Sequence, residues 1–289
     1  MTDLYPVTFA SIPHWAREHN VRADLARMRF AQYAILRAIS VTGALQSTLV
    51  FKGGNALDFV WQPNRSTTDL DFSIDETSQP FQDDTILAKF QPGLARVSRA
   101  LQIDLTTHSV ERRPPGADRT FATYQLKIGY VLPDEEALRR RVAKGEKSTH
   151  VIKLDISLNE PICASISVSI DGTHDLRVST LEDIVAEKLR ALLQQSIRNR
   201  SRCQDLLDIA VIVRSQPVDH DAVADYLLRK AAARNVPVFR TAFHAVDLAT
   251  RANVGYAELE QTTRVSFIPF EEALRDLYEL VDRLPIPDG

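Results

Sequence analysis

Two stretches of this chain alternate between apolar and polar residues, and in both of them the polar side carries aspartate. In 69–74 the residues Leu70, Phe72 and Ile74 share one side, while Asp69 and Asp71 lie on the other. In 151–158 the apolar side is Ile152, Leu154, Ile156 and Leu158, with Val151, Lys153, Asp155 and Ser157 opposite. A period of two describes a strand with one buried and one polar face. Asp69 and Asp71 then stand about 7 Å apart at Cα, and such carboxylates repel unless cations or donors lie between them. Hard divalent ions with oxygen ligands, Mg²⁺ above all, are the natural guests. An exposed acidic strand face would give the same pattern for either stretch alone. Placed in neighbouring strands, Asp69, Asp71 and Asp155 form a three-carboxylate cluster of the kind that holds two metals for in-line attack on phosphorus.

A second feature precedes the first aspartates. Leu49-Val50-Phe51 reads as a short buried strand, and Asn55 to Val60 as the first turns of a helix, with Gly53-Gly54 between them. A strand running through glycines into a helix presents backbone N–H groups with nothing to block a phosphate. The steric needs of a tight turn explain the same glycines without a ligand.

The rest of the chain sorts into two halves. Leu25, Met28, Ala31, Ile35 and Ile39 return at helical steps and predict one helix from Trp15 to Ile39, with Gly43 as its stop. Pro63 and Asn64 break the chain before the strand at Asp69–Ile74. A helix over Thr85–Leu101 is expected to be interrupted at Pro92-Gly93. Strands follow at Ile103–Val110 and Thr120–Val131, joined by a hairpin loop over 112–119. Pro133–Lys147 reads as an exposed basic helical insertion, and Ser165–Ile170 as a less regular strand ending at Asp171-Gly172. After Ser179 helical periodicity runs to about Leu284 with no convincing strand. The expected fold class is α/β (α+β), a mixed sheet flanked by helices in residues 1–176, followed by a helical domain over 177–289.

In the second half, Thr180 and Asp183 resemble a capping box that opens a helix. Lys188 falls on that helix's apolar stripe of Leu181, Ile184, Val185, Leu189 and Leu192 rather than opposite it. A lysine there needs a ligand, a rim to which it can snorkel, or a salt bridge to an aspartate of the next helix. The net charge of −3 does not mark a general polyanion binder. Two local basic runs stand out nonetheless: Arg139 to Arg141 with Lys144 and Lys147, and Arg190, Arg198, Arg200 and Arg202. They are either solvated helix faces or surfaces that track RNA phosphates. Cys163 and Cys203 lack metal-ligand spacing and suit a reducing compartment. Without a leader-like N-terminus or an apolar run of about 18 residues, the expected location is cytoplasmic, with no membrane partner.

Lys52-Gly53-Gly54-x-Ala56-Leu57 followed by Arg65-x-Thr67-x-Asp69-Leu70-Asp71-Phe72 resembles the nucleotidyltransferase toxins of the AbiEii/AbiGii type, relatives of the MenT toxins within the DNA-polymerase-β-like superfamily. The resemblance continues through Ala186-Glu187-Lys188-Leu189 and Asp205-Leu206-Leu207-Asp208, with Gln204 where the family usually has Arg. Arg200 or Arg202 could supply that charge. The resemblance implies an Mg²⁺- or Mn²⁺-dependent enzyme moving nucleotides from a nucleoside triphosphate to an RNA acceptor, the tRNA 3′ end, with release of pyrophosphate. It implies that Asp69, Asp71 and Asp155 bind metal, and that Lys52, Gly53, Gly54, Arg65, Thr67 and Lys188 bind nucleotide. Asp205, in preference to Asp208, is implied as the residue that positions Lys188. It further implies an AbiEi-like DNA-binding antitoxin as partner. A small-molecule nucleotidyltransferase of the aminoglycoside type, or a catalytically silent binding module of the same fold, are the alternatives.

Overall fold

The computed structural model describes residues 4–61, 64–65, 67–74, 85–114 and 122–289. The chain divides into two compact units. The first comprises Met1–Val60, Thr67–Glu160 and Ile166–Val178; the second comprises Trp61–Ser66, Pro161–Ser165 and Ser179–Gly289.

The first unit is built on one mixed sheet. Among the described residues its strands are β1 (Leu49–Lys52), β2 (Leu70–Ile74), β3 (Asp104–Arg113), β4 (Thr123–Val131), β5 (Val151–Ser157), β6 (Ser165–Ser169) and β7 (Asp175–Ser179), in the spatial order β3-β4-β5-β2-β1-β7-β6. β2 is central, antiparallel to β1 and parallel to β5. Its inward residues Leu70 and Phe72 are fully buried, as are Phe51, Leu126, Leu154 and Ile156 on neighbouring strands. They form one core with the helices Ala23–Ser40 and Ile86–Leu101. Each such side chain contributes about 1.5–3 kcal/mol of burial. A slip of one residue would turn Asp71 and Asp155 into that core, so the register is held by the same apolar residues that leave the carboxylates on the open face.

Four expectations need correction. The helix foreseen over Trp15–Ile39 is two helices, Ile12–Glu18 and Ala23–Ser40, parted at Asn20, whose φ of 50° is a conformation asparagine tolerates. Gly43 does not stop it. The long helix has already ended at Ser40, Thr42 Oγ1 donates to the Ala38 carbonyl at 2.8 Å, and Gly43 begins a short helix, Gly43–Thr48. Pro92-Gly93 does not interrupt the helix Ile86–Leu101. Pro92 gives up one hydrogen bond, but a Cβ on Gly93 would sit 2.3 Å from the Ala38 carbonyl oxygen, so the glycine lets two helices lie in contact. The strand β7 was not foreseen: it is five residues long, directly follows the turn at Asp171-Gly172, and pairs in parallel with β1 at Phe51 and Val178. Most of the expected hairpin loop at 112–119 lies outside the described residues.

The second unit is helical. Its principal helices are Leu181–Leu193, Cys203–Ser215, His220–Ala233 and Phe270–Arg283. Thr180 caps the first by accepting from the Asp183 N–H at 3.3 Å. The reciprocal half of a capping box is missing, because the Asp183 carboxylate instead accepts from the Cys163 N–H and pairs with buried Lys230 at 3.0 Å. Asn64 and Arg65 are stitched to 263–266 of this unit through an antiparallel bridge from Arg65 to Thr263 and bonds at Asn64. No described helix is long and apolar enough to cross a membrane.

Candidate active site

On the open face of the sheet Asp71 and Asp155 are register partners across β2 and β5. Adjacent strands lie about 4.8 Å apart, so the two carboxylates are held side by side by the ladder itself. Burial pushes the Asp71 carboxyl up to about 7; Lys52 draws it down, and Asp155, Asp69 and Glu160 push it up again. Gln125, opposite Asp155 on β4, donates from Nε2 to Asp155 Oδ1 at 3.1 Å. Asp69 stands one residue before β2, and its Oδ1 accepts from Thr68 Oγ1 at 3.2 Å.

Gly53 sits over this pair. Its φ is +72°, and a Cβ there would lie 2.6 Å from Asp71 Oδ2. Both facts demand glycine. Gly54 follows in the first turn of the helix Gly53–Ala56, which continues through the wider turn Leu57–Trp61. Lys52, opposite Asp71 in β1, donates to Ser157 Oγ at 3.3 Å and is ion-paired with Glu160. Glu160, just beyond β5, is buried and also accepts from Ser73 Oγ at 3.4 Å. Nothing in its sequence setting singled it out, since the alternation ends two residues earlier.

The approach to Asp69 is fastened from below by a buried polar group that sequence reasoning also missed. Asn55 Nδ2 donates to the Thr67 and Asp69 carbonyls at 3.0 and 2.6 Å, and Gln32 Nε2 donates to the Thr67 and Thr68 carbonyls at 2.9 and 3.1 Å. Arg29, fully buried, donates to Asn55 Oδ1 at 3.1 Å, pairs with Asp58 at 2.6 Å and lies 3.4 Å from the centre of the Phe59 ring. Thr67, expected at the nucleotide, enters this network through its backbone. Asn55→Ala is expected to release the loop. Losing two bonds to buried carbonyls costs about 1–3 kcal/mol. Thermal unfolding of wild type and variant checks this, and an unchanged midpoint would remove the fastening role.

The carboxylates suit a divalent ion in donor chemistry: they are hard oxygens, and burial, with the neighbouring carboxylates adding to it, keeps Asp71 protonated to a higher pH than a free carboxyl. The sheet supplies them as a fixed pair. Among the described residues no three His, Cys, Asp or Glu side chains close on one point at ligand spacing.

In the second unit Lys188 is buried, and its Nζ donates to Asp205 Oδ1 at 2.9 Å and Asp208 Oδ2 at 2.7 Å. Arg65 donates to the same Asp208 oxygen at 3.1 Å, and Arg202 lies 3.6 Å from Asp205 Oδ2. Burial opposes the charge on Lys188, but Asp208 and Asp205 outweigh it and raise the lysine above its ordinary range. Burial likewise opposes the charge on Asp208, and Lys188 with Arg65 holds that carboxyl below its ordinary range. Lys188 and Asp208 are therefore both ionised. The two aspartates share the lysine, and Arg202, not Gln204, brings positive charge to Asp205. Arg65 Nε has no hydrogen-bond partner among the described residues.

Of the expected site residues, Lys52, Gly53, Gly54, Thr67, Asp69, Asp71 and Asp155 gather in the first unit, and Arg65, Lys188, Asp205 and Asp208 in the second. Each of the three arginines of the helix Glu136–Ala143 has an acidic partner: Arg139 with Asp104, Arg140 with Glu136 and Arg141 with Glu146.

A family model described as the AbiEii nucleotidyl transferase toxin of type IV toxin–antitoxin systems matches residues 34–281. Two solved structures are similar. One is a candidate nucleotidyltransferase from H. pylori, 18% identical, covering 87% of this chain and 92% of its own, with a TM-score of 0.49. The other is JHP933 from Helicobacter pylori, 19% identical, covering 86% and 88%, with a TM-score of 0.48. No curated protein matches the chain.

Proposed function

Because this chain belongs to the AbiEii nucleotidyltransferase toxin family, we propose that it transfers a nucleotide from a nucleoside triphosphate to an RNA hydroxyl, the tRNA 3′ end, releasing pyrophosphate. The observation that carries the proposal is the register pair Asp71 and Asp155, with Gly53 closely set against Asp71. Asp69, Asp71 and Asp155 would hold Mg²⁺ or Mn²⁺, which when bound supplies Lewis-acid charge to the phosphates. The backbone at Gly53 and Gly54 lets a phosphate chain approach without side-chain hindrance. Glu160 and Ser157 fix Lys52 beside the carboxylates, where its charge offsets theirs. Asn55 and Gln32 set the backbone that carries Asp69.

In the second unit three cations, Lys188, Arg65 and Arg202, meet two carboxylates, Asp205 and Asp208, which leaves a positive excess suited to a triphosphate. We assign Lys188 to that role, with Asp205 and Asp208 positioning it and Arg65 contributing its free N–H. An antitoxin, an AbiEi-like DNA-binding protein, is the proposed partner, and the cytoplasm the proposed location.

The test is incubation of the purified protein with α-labelled triphosphates and total tRNA, with and without Mg²⁺. We expect label in tRNA for the wild type with Mg²⁺ alone, and loss of labelling by about 10²-fold or more in Lys188→Met, a length-conserving change. Equal labelling by wild type and variant, or labelling indifferent to Mg²⁺, would overturn the assignment. An aminoglycoside added as competing acceptor distinguishes the small-molecule reading.

A further inference from the structure

The open face of the sheet continues past Asp155 towards the β3 edge. In the antiparallel pair β4–β5, Gln125 stands opposite Asp155 and Lys127 opposite Lys153; β3 adds Ser109 opposite Lys127. Leu126, Ile128, Ile152 and Leu154 are buried on the other side, so both lysines share the face of Asp155, and Lys153 is exposed. Lys153 is two residues from Asp155 along β5, about 7 Å at Cα.

Directly opposed residues in an antiparallel pair have Cβ atoms about 4.5–5.5 Å apart, and like charges there are destabilising. Among the described residues neither lysine forms an ion pair. The nearby acids are otherwise engaged: Glu111 accepts from Arg113 at 2.6 Å, and Asp155 accepts from Gln125. A histidine lies further along the strip. His108, the extra residue where the β3 register shifts, lies over Gly129, where a Cβ would be 2.0 Å from its Nε2. Burial, and then the charge of Lys147, lower the His108 pKa, so the ring favours its neutral form. His108 Nε2 is buried with no partner among the described residues.

Lys127 feels the charge of Glu111, which is paired with Arg113, but the two lysines remain opposed in register, and an anion lying between the two ammonium groups relieves them. The two lysines lie on β4 and β5, on the face that carries Asp155, which suits an anion whose phosphates repeat away from the carboxylates more than a single small one. No aromatic residue stands at these open-face positions of β4 and β5, so binding would rest on charge and not on base stacking. We infer that this strip carries the phosphodiester backbone of a single-stranded RNA segment leading to the acceptor hydroxyl, with Lys127 and Lys153 as its phosphate contacts. The inference rests on the nucleotidyltransferase reading above.

The experiment compares the full-length wild type with the double variant Lys127→Gln/Lys153→Gln. Removing opposed like charges leaves the fold intact, and thermal unfolding verifies this. A labelled oligouridylate of about twelve nucleotides is titrated at several salt concentrations, and binding of ATP with Mg²⁺ is measured in parallel by calorimetry. We expect the salt slope of the RNA affinity to fall by about 1.4, since each lost single-strand phosphate contact removes about 0.7, with nucleotide binding unchanged. Unchanged RNA affinity would overturn the strip, as would an equal loss of nucleotide and RNA binding, which would assign the lysines to the triphosphate. Wild type that labels no RNA would instead defeat the nucleotidyltransferase reading, whatever the variant does.

Discussion

Asp71→Asn is expected to lower nucleotide transfer by about 10³-fold and at the same time to make the protein more stable than wild type above neutral pH. Both effects come from one feature. The ladder holds Asp71 beside Asp155, and burial with the neighbouring carboxylates keeps its pKa up at about 7. The folded value lies above the unfolded one of 3.8, so the native state binds more protons than the unfolded chain between the two. Stability from this group is full below about pH 4, falls as pH rises towards 7, and stays low beyond it. Asparagine imitates the neutral form and removes that slope. With solvent screening of a half-buried group allowed for, the difference at about pH 8 is about 2 kcal/mol. Urea unfolding in chelator at about pH 5 and about pH 8 reads it directly. A variant that gains the same stability at both pH values, or that still turns over, contradicts the arrangement.

Asp208→Ala is expected to have the largest effect on folding, about 3–5 kcal/mol, because it leaves two buried cations without their shared carboxylate. Asp208 is 3% exposed and accepts from both Lys188 and Arg65. Its carboxyl is held below the ordinary range, so its stabilisation is present above the unfolded pKa and disappears as pH falls through the lower, folded one. Urea midpoints for wild type, Asp208→Ala and the double variant Asp208→Ala/Lys188→Met separate the terms. The double variant should recover part of the loss, since one of the stranded charges is gone. A loss below about 1 kcal/mol in the single variant would show that water already reaches the cluster.

The most legible parts of the molecule were those governed by period and by close backbone approach. The alternation of Leu70, Phe72 and Ile74 against Asp69 and Asp71, and of Ile152, Leu154 and Ile156 against Asp155, placed both strands and their faces, because a strand with one buried side has a single workable register. Lys188 on an apolar stripe announced a buried partner, and an aspartate of the next helix was among the alternatives. Less legible were charges that vanish into the interior. Arg29, Asp58 and Glu160 look like surface residues until their partners are known, and those partners come from distant segments. The placement of Asn64 and Arg65 with 263–266 was hidden for the same reason. Local rules also failed where packing overrode them: Pro92 suggested a break, yet Phe90, Leu94 and Val97 on one buried face carry the helix through it.

The strand order has a consequence for how the protein comes into being. The D-x-D strand β2 is flanked by β1, made before it, and by β5, which begins only at Val151, while β1 finds its other neighbour in β7 near Val178. Pairings between such distant segments form late, since loop closure precedes any gain from contact. During synthesis, Asp71 emerges long before Asp155 and has no second carboxylate beside it until β5 leaves the ribosome. A nascent or prematurely terminated chain that ends before Val151 therefore lacks the Asp71–Asp155 pair.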